Sequence, residues 1–122
     1  MNKVKVSRSV AESAKQLKNS LQAKGFIIFC DIDHQKNAKG IDIDMPASRC
    51  LIFGNPAAGT KLMQKDIAMS LDLPLRIAIV DINGQTNIIH HTTKDYCNNY
   101  EIEGHPVLEK IETLFSTLIS EL

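Results

Sequence analysis

The sequence predicts one two-layer α+β domain, a mainly antiparallel sheet covered by helices, in the order β-α-β-β-α-β-β-α. Three observations carry that expectation. Apolar or alternating runs of strand length recur at 26–33, 48–53, 75–82 and 86–92. Two longer segments, after Ser9 and after Pro106, place apolar residues at helical spacing. Between the last two strand-like runs stands Asn83-Gly84, the strongest short-range hairpin signal. A chain of 122 residues fits one domain, residues 1–122, able to bury roughly two-thirds of the surface that its unfolded form exposes.

The elements follow in order. Val4 and Val6 alternate with lysines in a short first strand, and Ser9 with Glu12 forms a capping-box pattern that opens a helix. Val10, Ala14, Leu17 and Leu21 make its stripe, and Gly25 stands where a left-handed terminating residue is expected. The run from Phe26 to Asp33 reads as a strand, His34 to Lys39 as a short helical turn stopped at Gly40, and Ile41 to Met45 as a brief extended segment with one wet face. A strand from Ser48 to Phe53 precedes a helix expected from about Gly59 to Ser70, with Leu62, Met63 and Ile67 on one side. Leu75 to Ile82 and Thr86 to Thr92 form the hairpin. A polar connection from Thr93 to Gly104 leads to Pro106, suited to a first helical position. The last helix carries a wide stripe that includes Val107, Ile111, Leu114 and Leu118.

Composition narrows the function classes. Fourteen basic and fourteen acidic side chains cancel, so no long-range positive field exists to gather nucleic acid or an anionic membrane. No apolar run reaches the length of a membrane span or a signal-peptide core, and the expected location is the cytoplasm. Trp is absent and only six residues are Phe or Tyr, so the interior must be mostly aliphatic. The three cysteines lack zinc-finger spacing. Cys30 and Cys50 lie in apolar runs and are expected to behave as small buried hydrophobes, whereas Cys97 stands in a polar stretch as a possible exposed thiol.

The segment Gly54 to Lys61, GNPAAGTK, imitates a phosphate-binding loop between a strand and a helix. A working loop requires Lys directly after its second Gly, so that the amine reaches the terminal phosphates, and a hydroxyl next for the metal. Here Thr60 precedes Lys61, each about 100° of helical rotation from its task, and Pro56 removes one amide from the cradle. Nucleotide hydrolysis is thereby disfavoured. The remaining reading is a tight strand-to-helix turn in which Asn55, Gly59, Thr60 and Lys61 contact an anion or small ligand.

Asp31, Asp33 and His34 form the densest polar group beside a strand end. Asp33 and His34 suit a helix amino cap first and a ligand contact second, because no further ligand cluster stands at fixed spacing. His90 and His91 are adjacent on a strand and point to opposite faces, so at most one serves a site, and a surface histidine is the expectation. His105 belongs to the start of the last helix. Neither a catalytic set nor a metal site nor a cofactor motif is expected.

Gly25-Phe26, Ile32 to His34, LIFGNP at 51–56, GTKLM at 59–63 and LDLPLRI at 71–77 together resemble the bacterial and archaeal "domain of unknown function 302" family over most of the chain. The resemblance implies an α+β domain with helices over a sheet and a tendency to form homodimers, with no established reaction, substrate or cofactor. The sequence departs from the family pattern at Ile67, where relatives commonly carry proline, and at His91, where an aromatic such as Tyr is expected. The functional expectation is a dimeric binding module for a small ligand or anion near Gly54 to Lys61, with Asp33 and His34 as further candidates. The alternative is an interaction or stability partner whose exposed apolar face, as on the last helix, docks another protein or a second copy of the chain; an enzyme is the third reading.

Overall fold

A computed structural model describes residues 1–122. Five strands form a single antiparallel sheet in the order β1-β5-β4-β3-β2. Strand β1 (Asn2–Val6) lies at one edge, and helix α1 (Val10–Ala23) carries the chain across the sheet to β2 (Ile27–Asp33) at the other. Strands β3 (Ser48–Gly54), β4 (Leu75–Ile82) and β5 (Gln85–His90) then step back as a meander until β5 pairs with β1. The α+β class and the main element order are as the sequence predicts.

One face of the sheet holds the core. Leu51, Phe53, Leu75, Ile77, Ile79 and Ile88 are buried, while their strand neighbours Ile52, Arg76, Ala78, Val80 and Ile89 are not. That alternation follows from the two-residue period of a strand, and it places every covering helix on one side. Helix α1 contributes Val10, Ala14, Leu17 and Leu21, capped by the Ser9 side chain accepting from the Glu12 amide at 3.1 Å. Helix α5 (Pro106–Ser120) contributes Val107, Ile111, Leu114, Phe115 and Leu118, so its apolar stripe is consumed by the core and is not a free docking face. With no Trp, the aromatic centre is a chain of edge contacts, Phe26 on Phe53 and Phe53 on Phe115, at 6.0 and 6.1 Å.

Polar groups fix how the layers meet. Asp31, on the helix-facing side of β2, accepts from Lys18 of α1 at 2.7 Å and from Arg49 of β3 through Nε at 2.9 Å and Nη2 at 2.5 Å. The Arg49 guanidinium, foremost, holds the Asp31 carboxyl below its ordinary pKa. Sequence reasoning grouped Asp31 with a possible ligand site; the structure engages it fully in tying α1 to the sheet edge.

Several local expectations fail for identifiable reasons. The segment from Ile41 to Met45 forms no strand: after α2 (His34–Lys39) the chain turns, Asp42 takes φ 59°, and Ile41 and Ile43 are exposed. The helix expected from Gly59 begins three residues earlier, as α3 (Pro56–Lys65), because Asn55 caps it and Pro56 starts it. It stops before Asp66, whose side chain accepts from Ala68 N and caps a separate 3₁₀ turn, Ile67–Leu71. Ile67 is consequently exposed instead of packed beside Leu62. The connection from Thr93 contains a helix, α4 (Thr93–Asn99), with a full capping box between Thr92 and Asp95. Cys30 and Cys50 are not core residues; they lie on the uncovered face, Cys30 exposed and Cys50 half-buried, while Cys97 packs against the core from α4.

Two substitutions test this account. Gly59 has helical backbone in α3, and a Cβ there would meet only Leu73 Cδ1 at 3.9 Å, so Gly59→Ala is expected to stabilise by about 0.5–1 kcal/mol in urea unfolding. The Ser13 hydroxyl is buried without a partner, so Ser13→Ala is expected to raise stability by about 1 kcal/mol in the same assay.

Candidate functional site

The strand-to-helix segment predicted to matter lines a cleft of about 420 Å³. Its floor is the end of the sheet where β2 starts, β3 finishes and β4 starts. Ile27 pairs with Gly54 and Phe53 with Leu75, which brings Phe26, Gly54 and Leu75 to one place. One wall is the first two turns of α3, from Pro56 to Met63. The opposite wall is α5 through Val107, Lys110, Ile111 and Leu114, and Leu73-Pro74 closes the side.

Local chemistry shapes each wall. A β-bulge between Ile28 and Cys30 inserts Phe29 as an extra residue and turns its ring into the cleft lining, half-exposed. Gly54 allows a close approach: a Cβ there would meet Pro74 Cβ at 3.4 Å and Phe29 Cε2 at 3.6 Å. Asn55 caps α3 by accepting from the Ala57 amide at 3.0 Å. Gly59 N donates to Asn55 O at 3.0 Å and Pro56 has no N–H, which leaves Ala58 as the first-turn amide open to a ligand. A backbone anion cradle is thus reduced to one donor. Positive charge at the rim comes instead from Lys61 and Lys110, both exposed and neither in an ion pair. None of the fourteen acidic residues lines the cleft, nor does any His, Cys, Ser or Tyr.

The predicted site residues therefore separate. Asn55, Gly59, Thr60 and Lys61 lie together on the α3 wall. Asp33 and His34 sit at the far end of β2, six residues from Ile27, or about 20 Å along the strand. Asp33 caps α2 by accepting from Lys36 N at 2.9 Å, and His34 is exposed. Sequence reasoning missed the α5 wall. Lys110 is a surface lysine on an amphipathic helix, and only the packing of α5 beside α3 gives it a second meaning. Also missed were Asp66 and Asp72, which tie the 3₁₀ turn to the α4–α5 connection. Asp66 accepts from Glu101 N at 2.9 Å, and Asp72 accepts from the Tyr100 hydroxyl.

The histidine pair departs from expectation. His90 is buried, stacked flat on Phe115 at 4.0 Å, whereas His91 is exposed. His90 Nδ1 lies 2.8 Å from His91 O and Nε2 lies 3.3 Å from Asn2 Nδ2, so the partners assign the proton to Nδ1, with Nε2 accepting from the Asn2 amide. Burial holds the His90 pKa below 6.5. Beside it a second, more polar depression of about 310 Å³ is lined by Asn2, Thr92, Glu112 and Ser116.

With this geometry established, comparison with known proteins places the chain. Residues 2–118 match the family described as "Domain of unknown function DUF302". The chain belongs to the DUF302 family. A crystal structure of an uncharacterized conserved DUF302 protein from Bacillus stearothermophilus has the same fold, with a TM-score of 0.76 over 99% of this chain and 94% of that one, at 19% identity. Over 73 residues, 60% of its length, the DUF302 chain is 37% identical to fluoride-specific ion channel FluC 1 of Brucella suis biovar 1. FluC 2 of Brucella melitensis biotype 1 matches at the same identity. The matched stretch spans 29% and 27% of those relatives, less than a third of their length. No helix of the DUF302 structure is long and apolar enough to cross a membrane.

The buried imidazole predicts a pH dependence. A folded pKa below the unfolded value of 6.5 means that the unfolded chain binds the extra proton first, so this contribution to stability is present above pH 6.5 and is lost as pH falls through and below it. Urea midpoints measured from pH 7.5 to 5 should fall in the natural chain and fall less steeply in His90→Phe.

Proposed function

We propose that this DUF302 protein is a dimeric small-ligand binding module whose site is the cleft between α3, α5 and the sheet end. The observation that carries the reading is the lining itself. It offers a concave space of about 420 Å³ with apolar walls and a few converging polar groups, as small-molecule sites do. The same lining lacks a nucleophile–base pair or a carboxylate, so its chemistry favours holding a molecule over transforming one. Asn55, Thr60 and Lys61 act at the α3 rim, and Gly59 lines the same wall. Asp33, which caps α2, and exposed His34 lie away from the cleft. The Brucella channels, in which the similar stretch is a minor part of a longer chain, support a module that works beside other domains.

The dimer rests on the uncovered sheet face. Ile32, Cys50, Ile52, Ala78, Val80 and Ile89 present an apolar patch over four strands, interrupted by Arg76 and Asn87 on the same face and flanked by exposed Ile27 and Ile82. The chain exposes 7270 Å², against about 6,600 Å² expected for a folded monomer of 13.6 kDa. A second copy packed about a two-fold axis covers this face with the same face of its partner and removes both apolar patches from water.

Ligand-observed NMR against a metabolite panel tests the site. Binding is expected in the natural chain and abolished in Ala57→Trp, which plugs the mouth from an exposed position; a ligand that binds both equally refutes the location. Light scattering tests the assembly: a dimer is expected, and Val80→Glu is expected to yield a folded monomer, while a strictly monomeric natural chain refutes the sheet-face contact.

A further inference from the structure

We infer that the cleft selects an amphipathic organic anion, an apolar chain or ring bearing one carboxylate. The inference rests on the cleft being the binding site and adds the class of molecule that it takes. Three features of the lining converge. Its body is apolar: Phe26, Leu75, Ile111 and Leu114 form the interior, and Phe29, at the bulge of β2, adds an aromatic ring to the lining. Its charge is one-signed: Lys61 and Lys110 stand on facing walls without a carboxylate partner, in a protein whose net charge is zero. Its polar rim, Asn55 and Thr60, can donate to the same head group from the α3 side.

Competing ligand classes satisfy only part of this. A compact inorganic anion would exchange a full hydration shell for apolar walls and one free amide, at Ala58, a poor substitution for a strongly solvated ion. A neutral apolar molecule would fill the interior but leave both ammonium groups unused. The size also suits a small molecule: about 420 Å³ lies within the roughly 300–1,000 Å³ range of small-ligand sites.

The test is isothermal titration of the full chain with octanoate, decanoate, decanol, phosphate and fluoride. Each buried methylene strengthens binding about fourfold, so decanoate is expected to bind about 15-fold more tightly than octanoate. It is expected to exceed decanol by about tenfold, the scale of a charge-assisted contact. The double variant Lys61→Ala, Lys110→Ala, altered only at exposed positions, should lose the preference for the acid and keep the affinity for decanol. Equal binding of decanoate and decanol overturns the anionic class and leaves an apolar site. Binding of phosphate or fluoride that displaces decanoate, or no gain with chain length, overturns the amphipathic class. No binding of decanoate or decanol, or binding unaffected by Ala57→Trp, removes the cleft reading itself.

Discussion

One constraint governs the rest of this structure: a single five-stranded sheet is covered by helices on one face only. The buried residues Leu51, Phe53, Ile77, Ile79 and Ile88 alternate with uncovered neighbours, and α1 and α5 supply the opposing stripes. Each side chain buried in that layer contributes about 1.5–3 kcal/mol, which sets the strand register because a slip of one residue would turn the whole set to the wrong face. The crossing of α1 from one sheet edge to the other follows from it. The ion cluster of Asp31 with Lys18 and Arg49 then pins α1 to the β2 edge of the sheet.

The cleft is where this covering stops. Helices α1 and α5 run over the middle of the sheet, whereas α3 leaves β3 at its end and packs against α5 across a gap. Its walls are therefore core residues at their outer ends, Phe26, Leu75, Ile111 and Leu114 among them, and it is apolar for the same reason that the core is. Polar character enters only at the rim, through the cap residue Asn55 and the outward turns of two helices. The uncovered sheet face has the same origin: 122 residues supply enough helix for one layer, and the second face retains its aliphatic side chains without a partner from the same chain.

The Gly54 to Lys61 segment shows how a motif can mark a place and mislead about its geometry. Its glycines suggest a loop, yet Gly54 is the last strand residue and Gly59 lies within a helix turn. A Pro at the first helical position and an Asn before it are strong start signals, and they outweigh the flexibility of a glycine three residues later. The helix therefore absorbs the amides that a phosphate loop would have left free. The surviving electrostatic feature is a pair of side-chain ammoniums, one of which comes from a distant part of the chain.

Local chemistry in the sequence determined the α+β class, the four longer strands, the hairpin at Asn83-Gly84, the caps at Ser9, Asp33 and His105, and the apolar stripes of α1 and α5. Those features depend on periodicity, turn residues and neighbours a few positions apart, and a single sequence displays them. Strand order, the burial of His90 against Phe115, the exposure of Cys30 and Ile67, and the presence of Lys61 and Lys110 in the lining of one cleft required the tertiary structure. Each depends on which elements pack together over long separations. The same apolar run can face a helix layer or solvent, and only the closed packing of the whole chain decides which.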